Sequence, residues 1–114
     1  MGTDTAYESI EPLREAIDAT RGALVLEFGS PGCGYCRRAQ PLIESAMSAH
    51  PRLRHLKIAD GPGRPLGRTF RVKLWPTLVL LHDGVERERL VRPDNTNEIA
   101  AALAHLQREQ GQSD

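Results

Sequence analysis

The sequence carries no excess of either charge. Fifteen basic side chains balance fifteen acidic ones over 114 residues, so nothing in the net field points to nucleic acid or to an anionic membrane surface. No apolar run approaches the length needed to span a bilayer. Residues 1–18 are polar and acidic, without the basic start and apolar core of a secretory signal. A cytoplasmic location is therefore expected, or a periplasmic one if a leader has been removed. Repeats and low-complexity tracts are absent, and the length suits one domain with a core that needs no staples. Lysine is scarce, since Lys57 and Lys73 are the only two against many arginines. Cysteine is scarcer in proportion to its importance: Cys33 and Cys36 are the only pair.

Those two cysteines stand two residues apart, in Cys33-Gly34-Tyr35-Cys36. An apolar run (Ala23, Leu24, Val25, Leu26) and a Ser-Pro-Gly turn precede them, and a segment of helical pattern follows. A helix N-terminus offers unpaired N–H groups and a positive dipole end, which favour a thiolate at Cys33. One turn further on, Cys36 is placed to attack a mixed disulfide formed at Cys33. Zinc would need about four ligands; this pair supplies two, and His50, His55, His82 and His105 show no ligand spacing, so no metal site is expected. A purely structural disulfide across so short a loop would remove little chain entropy. Thiol–disulfide exchange is the chemistry that fits, with Cys33 as nucleophile and Cys36 as the more buried, resolving thiol.

The rest of the chain punctuates clearly. Ile10, Leu13 and Ile17 recur at helical spacing, with Ser9 able to cap, Pro12 in the first turn and Gly22 as the stop. Ala23–Phe28 reads as a central strand buried on both faces, interrupted by the single acid Glu27. A helix from Gly34 to His50 contains Pro41, where a kink is expected. Leu53–Ala59 alternates as a strand, with Leu53, His55 and Lys57 on one side. Pro65–Arg71 suits a short helix with Leu66 and Phe70 inward. Thr77–Leu81 is a buried strand, Asp83-Gly84 a hairpin turn, and Val85–Val91 the antiparallel return. Asn95 with Glu98 resembles a capping box ahead of Ile99, Leu103 and Leu106. The order αβαβαββα calls for an α/β domain with a mixed sheet covered on both faces.

With that order, the chain resembles the thioredoxin family from about Ser9 to the end of the last helix. The redox motif, Pro41, the Trp75-Pro76-Thr77 loop, Gly84, Glu27 and Lys57 all fall at the family's positions. The resemblance implies a thioredoxin-like fold: a central mixed four- to five-stranded sheet with helices on both faces, over residues 9–110. Residues 1–8 and 111–114 are then flexible ends. It implies a protein disulfide oxidoreductase whose only redox group is its own cysteine pair, with no cofactor. Glu27 would take the proton from Cys36, with Lys57 as its companion. Gly32, Gly34, Tyr35, Trp75, Pro76, Thr77 and Arg92 would form the substrate-binding surface, and a cis bond before Pro76 would expose the Trp75 backbone to a substrate strand. Arg37, Arg38 and Arg92 would give the rim a positive field. Partners would be protein disulfides and a thiol donor, either a thioredoxin reductase or glutathione as in glutaredoxins, acting on a monomer. The competing class is a binding module of the same fold, a chaperone or assembly adaptor with incidental cysteines.

The departures from the family pattern are specific. Gly32 replaces the tryptophan before the first cysteine, and Gly-Tyr replaces Gly-Pro between the two, as in periplasmic disulfide isomerases. Glu27 stands for an aspartate, Trp75 for a β-branched residue, and Arg92-Pro93 for a glycine-containing loop. They bear on the choice of partner, not on the chemistry.

Overall fold

A computed structural model describes residues 6–112 of the chain. Of the ends expected to be flexible, 1–8 and 111–114, residues 1–5 and 113–114 lie outside those described, and helix continues through 111–112. Eight elements follow in the order αβαβαββα: α1 (Arg14–Asp18), β1 (Ala23–Gly29), α2 (Gly34–Ser48), β2 (Arg54–Ala59), α3 (Leu66–Thr69), β3 (Thr77–His82), β4 (Val85–Val91) and α4 (Thr96–Gln112).

The four strands make one mixed sheet in the order β2-β1-β3-β4. β1 lies parallel to β2 and antiparallel to β3, and the β3–β4 hairpin closes the far side. All seven residues of β1 and all six of β3 are buried, as the unbroken apolar runs require of strands covered on both faces. The period of two then sorts their side chains. Ala23, Val25, Leu78 and Leu80 face Ile43 of α2 and Leu103 of α4. Leu24, Leu26, Phe28, Val79 and Leu81 face Ile17, Leu66 and Phe70 on the α1–α3 side. Glu27 shares the parity of Val25 and so belongs to the α2 side.

The first helix is much shorter than its spacing suggests. Only Ile17 of the apparent stripe is buried, whereas Ile10 and Leu13 are 82% and 69% exposed. Pro12 biases its predecessor toward extended backbone, Leu13 is itself extended, and the helix starts at Arg14, so Ser9 caps nothing. The Glu11 carboxylate instead accepts the Leu66 N–H at 3.0 Å, drawing this segment along α3. Gly22 ends no helix either: with φ 80° it leads into β1, and its N–H donates to the Asp83 carboxylate at 2.7 Å. The other end of the sequence reads as expected, with Asn95 Oδ1 accepting the Glu98 N–H at 2.7 Å to cap α4. Tyr7, in the stretch expected to be loose, bridges to Lys57, and the Glu8 N–H donates to the Lys57 carbonyl at 2.8 Å. Among the described residues no helix is long and apolar enough to cross a membrane.

Candidate active site

β1 ends at Gly29, and the chain turns through Ser30-Pro31-Gly32 to start α2 beside the end of the central strand. Cys33 is the N-cap of α2, with extended backbone, and its Sγ accepts the Cys36 N–H at 3.1 Å. An orphan donor of the helix start is thereby spent on the sulfur, the arrangement that stabilises negative charge there. Both cysteines are free thiols. Cys33 is half-buried and Cys36 is 4% exposed. Burial, first of all, pushes the Cys36 thiol up to about 12; its hydrogen bond with Cys33 adds to this, and the nearby Cys33 and Glu27 charges act in the same direction. A backbone hydrogen bond at Ser30 opposes the rise without cancelling it.

Under Cys36 the backbone comes very close. A Cβ at Gly29 would stand 2.8 Å from Cys36 Sγ and 3.1 Å from the Tyr7 hydroxyl, so only glycine leaves room for the buried sulfur. Glu27, one turn of pleat earlier, is 1% exposed. Its carboxylate is met by His55 Nε2 at 2.8 Å. Lys57 sits opposite Glu27 in the parallel register, but its Nζ donates to Gln40 Oε1 at 2.6 Å and lies 4.6 Å from the Tyr7 ring centre. The companion lysine is therefore near the acid, while the direct contact belongs to the histidine. Tyr7, Ser30, Cys36, Gln40 and Lys57 line one cavity of about 410 Å³. Burial and the neighbouring Cys36, Glu27 and Cys33 charges raise the Tyr7 phenol well above its ordinary value.

On the other side of the thiols, the Trp75–Pro76 peptide bond is cis. Pro76 and Thr77 are buried, and the Thr77 hydroxyl donates to the Leu74 carbonyl at 2.7 Å. Trp75 is half-buried in the loop, and its indole N–H donates to Asp60 Oδ2 at 2.9 Å. Arg92, at φ 49°, ties this loop to the cysteine turn. Its backbone N–H donates to the Pro76 carbonyl at 2.8 Å and its Nε to the Trp75 carbonyl at 2.9 Å. Its guanidinium lies 3.7 Å from the Tyr35 ring centre, with that of Arg38 at 5.0 Å. Tyr35 is 49% exposed between them, and a cleft of about 380 Å³ runs from it to Pro76 and Pro93. Gly32 and Gly34 flank Cys33 with open space: a Cβ at Gly32 would meet nothing, and one at Gly34 only Arg37 Nη2 at 3.9 Å.

The eleven residues expected from the sequence to be catalytic or substrate-binding lie on β1, the α2 start, β2, the loop into β3 and the end of β4, around this end of the sheet. Four others were missed. Gln40 is four residues after Cys36, so helix periodicity places it on the same side. His55 alternates with Lys57 along β2 and was equally legible. Gly29 offered only its position before the turn, and Tyr7 offered nothing, because it falls in a segment without pattern. Among the described residues no group of three or more histidine, cysteine or carboxylate side chains could hold a metal ion.

The comparisons with known proteins agree with this geometry. The family model for thioredoxin matches residues 5–105. The solved structure of reduced thioredoxin 2 from Pseudomonas aeruginosa PAO1 is 45% identical, with a TM-score of 0.84 over 96% of this chain and 99% of that one. A thioredoxin of Chlamydia trachomatis is 34% identical over 61% of this chain and 69% of its own length. An H-type thioredoxin of Fagopyrum esculentum is 26% identical over 76% and 74%. The chain belongs to the thioredoxin family, and with it to the disulfide oxidoreductases.

Proposed function

We propose that the chain reduces protein disulfides by dithiol exchange at Cys33 and Cys36. The Cys33 thiolate attacks one sulfur of the substrate disulfide, forming a mixed disulfide and releasing the other substrate sulfur as a thiolate. Cys36 then gives its proton to Glu27 and bonds to Cys33 Sγ. The Cys33–substrate bond breaks, and its electron pair leaves on the second substrate sulfur. The two electrons gained by the substrate are those lost by the Cys33 and Cys36 thiols as they become a disulfide.

The observation that carries this reading is the asymmetry of the two sulfurs. Cys33 is at the helix start and accepts an N–H, whereas Cys36 is buried and holds its proton up to about 12. A resting enzyme then has one nucleophile and one protected thiol that is released only by a base. Tyr35, Pro76 and Arg92 line the cleft in which a substrate strand would lie; Trp75 and Thr77 flank Pro76 in the chain, and Gly32 and Gly34 would leave Cys33 accessible. The spent disulfide is recharged by a thiol donor, a thioredoxin reductase in preference to glutathione, since residues 90–94 lack the double glycine of glutaredoxins. The test is insulin reduction followed by turbidity in dithiothreitol. Wild type should accelerate precipitation, and Cys33→Ser should not. Acceleration that survives Cys33→Ser would leave the groove as a binding module.

A further inference from the structure

The acid beneath the cysteines is held by an imidazole. His55 Nε2 and Glu27 Oε1 are 2.8 Å apart, with the two side chains 10% and 1% exposed. The parallel β1–β2 register sets Glu27 opposite Lys57 and Val25 opposite His55, so both basic side chains rise on the α2 side. Lys57 is committed to Gln40 and the Tyr7 ring. A carboxylate at this depth without a donor would take up a proton and stay neutral. In that state it has nothing to offer Cys36.

We propose that His55 is the positioning residue of the second half-reaction: its Nε2 proton keeps Glu27 ionised and oriented, so that release of substrate from the mixed disulfide depends on His55 while attack by Cys33 does not. The proton leaving Cys36 goes to the Glu27 carboxylate, Cys36 Sγ bonds to Cys33 Sγ, and the substrate departs as a thiolate. His55 remains hydrogen-bonded throughout and loses no proton of its own. Near the pair stand Lys57, opposite Glu27 in the strand register, Cys36 from α2 and Tyr7 from the N-terminal segment; Arg37 and Glu44 of α2 line the adjoining cavity with Tyr7, Cys36 and Lys57.

This rests on Cys33 and Cys36 acting as a dithiol reductant, and the experiment separates the two ideas. Stopped-flow reduction of a peptide disulfide gives the release rate. The same reaction in a Cys36→Ser background stops at the mixed disulfide and gives the attack rate. His55→Leu should slow release about tenfold or more, the loss expected for a hydrogen bond to a charged group, with attack unchanged. His55→Gln, which keeps an N–H at the same reach, should recover most of the rate. Release at the wild-type rate in His55→Leu, or release as slow in His55→Gln as in His55→Leu, would overturn the proposal. A larger loss in Lys57→Met than in His55→Leu would also overturn it and return the role to the lysine. Should His55→Leu fail to fold, the ratio of release to attack rates in His55→Ala decides: a loss in release alone supports the proposal, and an unchanged ratio overturns it. Turnover that ignores Cys33→Ser would instead remove the dithiol reading, and this inference with it.

Discussion

Cys36 couples the redox state of the molecule to its stability in alkali. Its thiol moves from an ordinary 9.0 to about 12 in the folded protein. Above about pH 9 the unfolded chain therefore releases a proton that the native state retains, and the unfolded state gains. Stability from this source is whole below about pH 9 and is lost progressively as the pH climbs toward 12. Urea midpoints of the reduced protein should fall more between about pH 8 and about pH 10 than those of Cys36→Ala. Parallel losses in the two proteins would show that Cys36 exchanges its proton freely in the native state. The same burial predicts that brief iodoacetamide treatment labels Cys33 and spares Cys36, which peptide mapping would read. At this scale the sequence told most of the story: an acid inside an apolar strand and a thiol pair at a helix start are local signals. It did not tell which base touches Glu27, because that depends on where two neighbouring side chains turn after the strands have paired.

Among the elements, those with an uninterrupted period were legible and those shaped by tertiary contacts were not. β3, β4 and α4 follow directly from apolar runs, a hairpin dipeptide and a capping asparagine. In α1 three correctly spaced apolar residues yield only five helical ones, because Pro12 and the Glu11–Leu66 contact take the preceding residues elsewhere. The short α3 shows how one element sets another's side chain. A Cβ at Gly67 would collide with the Asp60 carboxylate, and the same carboxylate holds the Trp75 indole. Gly67→Ala should therefore keep the fold, since an aspartate side chain can swing aside, while freeing Trp75. Trp75 is the only tryptophan, so its fluorescence reports this directly: the emission should shift with the far-UV circular dichroism unchanged. Identical emission would mean that Asp60 does not position the loop.

At the scale of the whole molecule the sheet has two outer strands, β2 and β4. Outer strands present unpaired N–H and C=O groups, on which another chain can build. β4 deals with this through charge: Glu86, Arg87, Glu88 and Arg89 follow one another along it. Arg89 pairs with Glu86 at 2.7 Å and Arg87 with Glu109 at 3.0 Å. β2 has no such run, and its protection comes from outside the strand. Tyr7 and Glu8 lie along Lys57 and take up its carbonyl. Tyr7, which borders the Cys36 cavity, thus also covers part of the β2 edge. Removing residues 1–8 should leave a chain that folds but oligomerises through β2 as its concentration rises, visible by light scattering at concentrations where the full chain scatters as a single species. A truncated chain that stays monodisperse would show that β2 needs no cover. If the oligomers form, any cut or modification near Tyr7 would be felt first as lost solubility, ahead of any change in redox chemistry.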